Sequence, residues 1–202
     1  MADQHIFRTI REQVVHRLRD DVISQVFKPG EDLREFTLAK RYGVSRSPIR
    51  DALLQLTQEG LLVATPNCGV KVGYRMDEDI QPLVIAIRLK VEQFAIDRLI
   101  ERKTPEILAG LETYLKKNRE ACTAGLLPGF IKSDMEFHRA LIEASGAEKL
   151  MGLWKQVTSA MMLHYERLHD WMENYREHEA IFSAIKRGDK RAAKAALAKN
   201  IR

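Results

Sequence analysis

"YGVSRSPIRDALLQLTQEGLL", residues 42–62, decides how this chain is read. Gly43 closes one short helix and Ser45 is placed to cap the next. Pro48 falls in the first turn, where its missing N–H costs little. Ile49, Ala52, Leu53 and Leu56 then recur at helical spacing, and Gly60 stops the helix. The apolar stripe explains why the helix packs but leaves Arg46 and Arg50 unexplained. They lie four residues apart, so they project together from its N-terminal end.

Upstream, Ile10, Val14, Val15, Leu18, Val22 and Val26 predict a helix over about 8–26, ended by "KPG" at 28–30. A short helix is expected over about 37–42. Downstream, "LLVATPNCGVKV" (61–72) reads as two β-prone runs around a Pro-Asn-Cys-Gly turn. Helix, turn, helix and hairpin make a winged helix-turn-helix. In that arrangement Arg46 and Arg50 reach into a DNA major groove, where a guanidinium reads guanine O6 and N7. Ser45 and Ser47 donate to phosphates, and Lys71 on the wing holds the DNA backbone or minor groove. The competing reading pairs Arg46 and Arg50 with Asp51 or Glu59. From Arg34 to Arg50 the chain carries five basic residues (Arg34, Lys40, Arg41, Arg46, Arg50) against one acid, Glu35.

The rest of the composition sets bounds. The 202 residues suffice for one large domain or two small ones, and 45% hydrophobic with 30% charged residues marks a soluble globular class. A net charge of +5 agrees with a polyanionic partner. No apolar run approaches the roughly 18–20 residues that span a bilayer, and "MADQHIFRTIREQVV" lacks a signal-peptide core. Cys68 and Cys122 are far apart, which argues against a disulfide framework. The expected location is cytoplasmic.

Residues 1–75 and 76–202 read as two domains: a winged helix-turn-helix with a small β-hairpin, then an all-helical bundle, mainly α overall. "RMDED" (75–79) reads as the linker and cap between them. In "FIKSDMEFHRALIEASG" (130–146), Asp134 and His138 share the apolar face with Phe130, Phe137 and Leu141. A buried carboxylate needs a partner. The pair is either an internal hydrogen bond that orients a core helix or half of a ligand site. His178 lies on an apolar face with Ile181, Phe182 and Ile185. It stands eleven residues before Asp189, which caps the last helix, and Asn200 stands eleven after it. In an antiparallel hairpin those two positions come side by side. Asp134, His138, His178 and Asn200 thus form a candidate site for a divalent transition metal (Zn, Ni, Mn or Fe). The alternative is a metal-free pocket using the same groups. Arg88 lies on a stripe with Val84, Val91 and Ala95; its partner is either Glu92 at i+4 or the carboxylate of a bound effector. His164 is a candidate pocket residue. Met161, Met162, Trp154 and Trp171 read as core or dimer packing.

"FKPGEDLREFTLAKRYGVSRSPIRDALLQLTQEGLL" followed by "PNCGVKV" resembles the N-terminal domain of GntR-family bacterial transcription regulators, over about residues 8–73. The remainder resembles the helical ligand-binding domain of the FadR subfamily, the FCD domain. The resemblance implies a homodimeric, DNA-binding repressor or activator whose hold on a double-stranded operator responds to a small metabolite, often a carboxylate. It makes Arg46 and Arg50 base readers and Gly69 the tip of the wing. It also supplies an Asp-x-x-x-His pair plus two later His as metal ligands; Asp134, His138 and His178 match the first three, and Asn200 stands at the fourth. Some relatives have a further DNA-contacting Arg where this chain has Phe36. Two other classes compete with this reading: a helical metal-dependent enzyme with an accessory basic module, and a structural adaptor. No nucleophile elbow, P-loop, dinucleotide turn or HExxH is present. A buried Asp/His set without an evident general base favours sensing over turnover.

Overall fold

The computed structural model describes residues 9–66, 69–74, 76–163 and 170–201, apart from the side chain of Ala160. The chain divides into two compact units, Met1–Arg75 and Met76–Arg202.

The first unit begins with α1 (Ile10–Ile23), opened by a reciprocal capping box in which Thr9 and Glu12 satisfy each other's backbone N–H groups. Then come β1 (Asp32–Leu33), α2 (Glu35–Tyr42), α3 (Arg46–Gln58), β2 (Leu62–Thr65) and β3 (Gly69–Val72). The helix-turn-helix corner is made by Gly43, whose φ of 67° suits a residue without a Cβ. Leu18 of α1, Leu38 of α2 and Ile49 and Leu56 of α3 are fully buried together with Leu62 and Val72 of the strands. The three strands form an antiparallel sheet in the order β1-β3-β2.

Three local expectations are corrected. α1 is shorter than 8–26: Gln25 takes a positive φ of 56° and the helix has already ended. Ile10 and Val26, which share the helical spacing of the apolar residues, are 60% and 47% exposed. The hairpin has a third strand, β1, whose two residues are too few to show an alternation; Asp32 faces Lys71 and Leu33 faces Val70.

The second unit comprises α4 (Gln81–Arg102), α5 (Pro105–Ala124), α6 (Leu127–Ala144), a short 3-10 turn (Glu148–Leu150), α7 (Met151–Met162), α8 (Trp171–Arg187) and α9 (Lys190–Asn200). Its core joins Ile96 and Leu99 of α4, Phe137 and Leu141 of α6, and Ile181 and Ile185 of α8. Asp189 caps α9 by accepting from the Ala192 N–H, as its position after Gly188 predicts. The linker helix starts later than "RMDED" implies, with Ile80 at the cap and Pro82 in the first turn of α4. No helix among the described residues is long and apolar enough to cross a membrane. Cys122 is a buried free thiol, and Cys68 lies outside the described residues.

Candidate functional sites

Arg46 is the first residue of α3 and Arg50 stands one turn on. Their side chains are 63% and 67% exposed, and both are gathered by Glu35, the first residue of α2. Arg46 donates to Glu35 Oε2 from Nη2 (2.9 Å) and Nε (3.2 Å). Arg50 donates from Nε to Oε1 (2.9 Å) and from Nη2 to Oε2 (3.2 Å). The hydrogen bonds from Arg50 and then Arg46 hold the Glu35 carboxyl down at about 2. Neither Asp51 nor Glu59 takes the arginines; Glu59 is engaged by Arg19 at 2.7 Å. The sequence showed Glu35 as the lone acid of the basic stretch but did not place it between them.

Each guanidinium meets Glu35 through its Nε–Nη2 side. That leaves Nη1 and the outer Nη2 hydrogen, a donor pair that can match guanine O6 and N7. Ser45 and Ser47 are exposed beside this edge. Ser45 occupies the N-cap position but its side chain makes no capping bond, contrary to the sequence reading. Gly69 is exposed with a φ of 85° at the start of β3, and Lys71 lies 3.6 Å from Asp32.

In the second unit, Asp134 and His138 on α6 meet His178 on α8, with one ligand atom of each within 4.8 Å of the others. All three are buried. His138 Nε2 and His178 Nε2 are 3.2 Å apart, and His178 Nε2 is 3.3 Å from Asp134 Oδ1. The far nitrogen of each ring is already engaged. His138 Nδ1 donates to Glu92 Oε2 at 2.6 Å, and His178 Nδ1 donates to the Asn174 carbonyl at 2.8 Å. These acceptors assign the N–H to Nδ1 in both rings, so the Nε2 lone pairs are directed at one another. A metal ion or a shared proton between them would satisfy two lone pairs at that separation.

The donor set fits a metal. Ligand atoms about 2.1 Å from an ion lie about 3.0 Å apart at right angles and about 3.4 Å apart in a tetrahedron. The two short separations fall in that range. The outer contacts fit as well, with a carboxylate behind one histidine and a backbone carbonyl behind the other. Asn174 Nδ2 donates to Asp134 Oδ1 at 2.8 Å. Burial pushes the His178 imidazole down to about 4, against the opposing pull of Asp134.

Glu92 is the hub on the α4 side. Its Oε1 accepts from Arg88 Nε (2.8 Å) and Trp154 Nε1 (2.7 Å), and its Oε2 from His138. Burial raises its carboxyl, but its interactions with His138 and Arg88 outweigh this and hold it at about 2. Arg88 therefore takes the i+4 partner that the sequence offered, and through it contacts a candidate ligand. Asn200 does not turn to His178: its Nδ2 donates to Glu177 Oε2 at 3.2 Å. The hairpin register of α8 and α9 was right to within one residue, but that one residue gives the amide a carboxylate acceptor instead. His164 lies outside the described residues. Asn174 and Trp154 were not read as site residues. Asn174 stands one helical turn before His178, and that spacing was the available signal.

A winged helix-turn-helix with two exposed arginines at the head of α3, and a helical second unit with a buried Asp/His/His cluster, are the arrangement of a DNA-binding transcription regulator. Residues 10–72 match the bacterial regulatory proteins of the gntR family, and residues 83–202 match the FCD domain. The chain belongs to the GntR family, with an FCD-type second domain. It is 32% identical over 189 residues to the uncharacterized HTH-type transcriptional regulator YdhC of Bacillus subtilis, covering 90% of this chain and 83% of that one. It is 31% identical over 159 residues to the Nta operon transcriptional regulator of Aminobacter aminovorans, covering 78% and 73%. The solved structure of Escherichia coli McbR superposes with a TM-score of 0.78 at 26% identity, covering 96% of this chain and 94% of that one.

Proposed function

We propose that this DNA-binding regulator changes its operator affinity when a small organic acid binds in the helical unit beside a divalent metal held by Asp134, His138 and His178. The observation that carries this reading is the facing pair of Nε2 atoms at 3.2 Å, each ring pinned from behind. A bound Zn, Ni, Mn or Fe ion would supply a Lewis-acidic anchor for a carboxylate. Three protein donors leave coordination positions for it. Glu92 orients His138, and Arg88 brings positive charge to the same cluster. Arg46 and Arg50 read bases, Ser45, Ser47 and Lys71 hold the backbone, and the Gly69 tip lets the wing approach closely. The regulator acts as a homodimer in the cytoplasm, because one winged helix buries too little surface for tight specific binding and a palindromic operator matches two-fold symmetry.

The test is a thermal-shift screen of small organic acids with and without each metal, followed by operator gel shifts with the acids that bind. A metal-dependent rise in melting temperature, with an accompanying change in operator affinity, supports the reading. An acid that acts equally well after chelation replaces it with the metal-free pocket. No acid altering DNA binding under either condition refutes the effector role.

A further inference from the structure

Phe36 is 73% exposed, the most exposed large apolar side chain among the described residues. It is the second residue of α2, directly after Glu35. The fold does not need its ring: the buried face of α2 is made by Leu38 and Ala39. One turn on, Lys40 shares its face and is also exposed. The four hydrogen bonds from Arg46 and Arg50 to Glu35 draw the N-terminal turns of α2 and α3 together. Phe36 therefore lies at the rim of the edge from which the two guanidiniums project. It is a bare aromatic ring near Arg34 and Lys40 along the chain, on the helix turn whose Glu35 binds Arg46 and Arg50.

A phenyl ring on a DNA-facing edge has few partners. It cannot hydrogen-bond a phosphate, and it offers nothing to the polar edges of guanine, cytosine or adenine. The apolar group on the floor of the major groove is the thymine 5-methyl. The flanking cations bring the ring to the groove by neutralising phosphates on either side. We propose that Phe36 is a specificity-determining residue that packs on the 5-methyl of a thymine beside the base pairs read by Arg46 and Arg50. The inference rests on the base-reading role of those arginines, and adds to it a preference the arginines cannot express.

The proposal is tested with full-length protein and an operator selected from random duplexes. Each thymine of that operator is replaced in turn by deoxyuridine, which removes the methyl and leaves every hydrogen bond of the pair. One thymine per half-site should weaken binding by about four-fold on replacement, the scale of one buried methyl. Phe36→Ala should bind the thymine operator about as weakly as the wild type binds the uracil one, with no further loss on the uracil operator. Selection repeated with Phe36→Ala should lose thymine at that position and keep the guanines. If no thymine-to-uracil change matters, or if Phe36→Ala keeps the discrimination, the proposal is overturned. An equal loss on all duplexes, random DNA included, also overturns it, since the ring would then serve general contact. Arg50→Ala separates this from the reading beneath it. Its loss of guanine preference alongside an inert Phe36 sinks only the thymine contact, whereas guanine preference retained in both Arg50→Ala and Arg46→Ala sinks the base-reading role on which the proposal rests.

Discussion

His138 Nε2 stands 3.2 Å from His178 Nε2, and both rings are fully buried. Neither ring is free to rotate away, because Glu92 and the Asn174 carbonyl hold the opposite nitrogens. A bound metal ion would relieve the opposition of lone pairs. Chelator-treated protein should therefore gain stability on addition of at least one of Zn, Ni, Mn or Fe, by about 2.7 kcal/mol at a hundred times the dissociation constant. His178→Ala and His138→Ala should each abolish most of that gain. Equal metal-induced shifts in wild type and both variants would place the binding elsewhere on the chain.

Glu92 joins Arg88, His138 and Trp154 in one buried carboxylate. Glu92→Gln keeps the shape but removes the charge and sets an amide N–H₂ against a donor. Breaking one member of a buried ion pair typically costs about 3–5 kcal/mol. The urea midpoint should fall accordingly, and any metal affinity should drop by about ten- to a hundred-fold because His138 loses its anionic backing. An unchanged urea midpoint would show that Glu92 contributes no net stability.

Arg50→Ala removes one guanidinium from the exposed head of α3 without touching the core, where Ile49 and Leu53 lie. Melting should stay within about 0.5 kcal/mol of wild type, the usual range for surface substitutions. Specific operator binding should weaken by about 1–3 kcal/mol, with relaxed preference at one base pair of each half-site. A gel-shift series showing unchanged affinity and base preference would remove Arg50 from the base readers.

The elements carrying apolar periodicity were legible in the sequence, and so was the convergence they force. Asp134, His138 and His178 could be placed together because each shares a helix face with residues that must be buried, such as Phe137 and Ile181. What was not legible depends on tertiary approach. β1 is two residues long and has no pattern of its own. Glu35 pairs with arginines 11 and 15 residues away across a helix-turn-helix corner, a register that periodicity does not report. Asn200 was placed by counting from Asp189, and counting has an error of one residue, enough to trade His178 for Glu177. The Glu92 hub needs three helices, α4, α6 and α7, to meet at one carboxylate.

Glu35 engages both arginines through Nε and Nη2 and leaves each Nη1 free of it, so on the proposed base-reading role it acts on DNA through them. A carboxylate near a phosphate backbone also repels it. Removing the charge should thus have two opposite effects. Glu35→Gln should raise affinity for random DNA, because one negative charge has left the contact surface. It should also lower the ratio of operator to random binding, because the guanidiniums lose the shared carboxylate that fixes their direction. The pH dependence follows from the carboxyl being held at about 2 rather than 4.5 by Arg50 and then Arg46. A depressed carboxyl contributes stability that is present above its unfolded value and lost as pH falls through the folded one. The clamp stays charged across pH 5–8, and its loss is confined to the interval from about 4.5 down to 2. Operator and random-duplex affinities measured side by side at fixed salt decide the matter. A fall in both by the same factor would make Glu35 a fold residue only, and a rise in both by the same factor would make it a plain electrostatic brake.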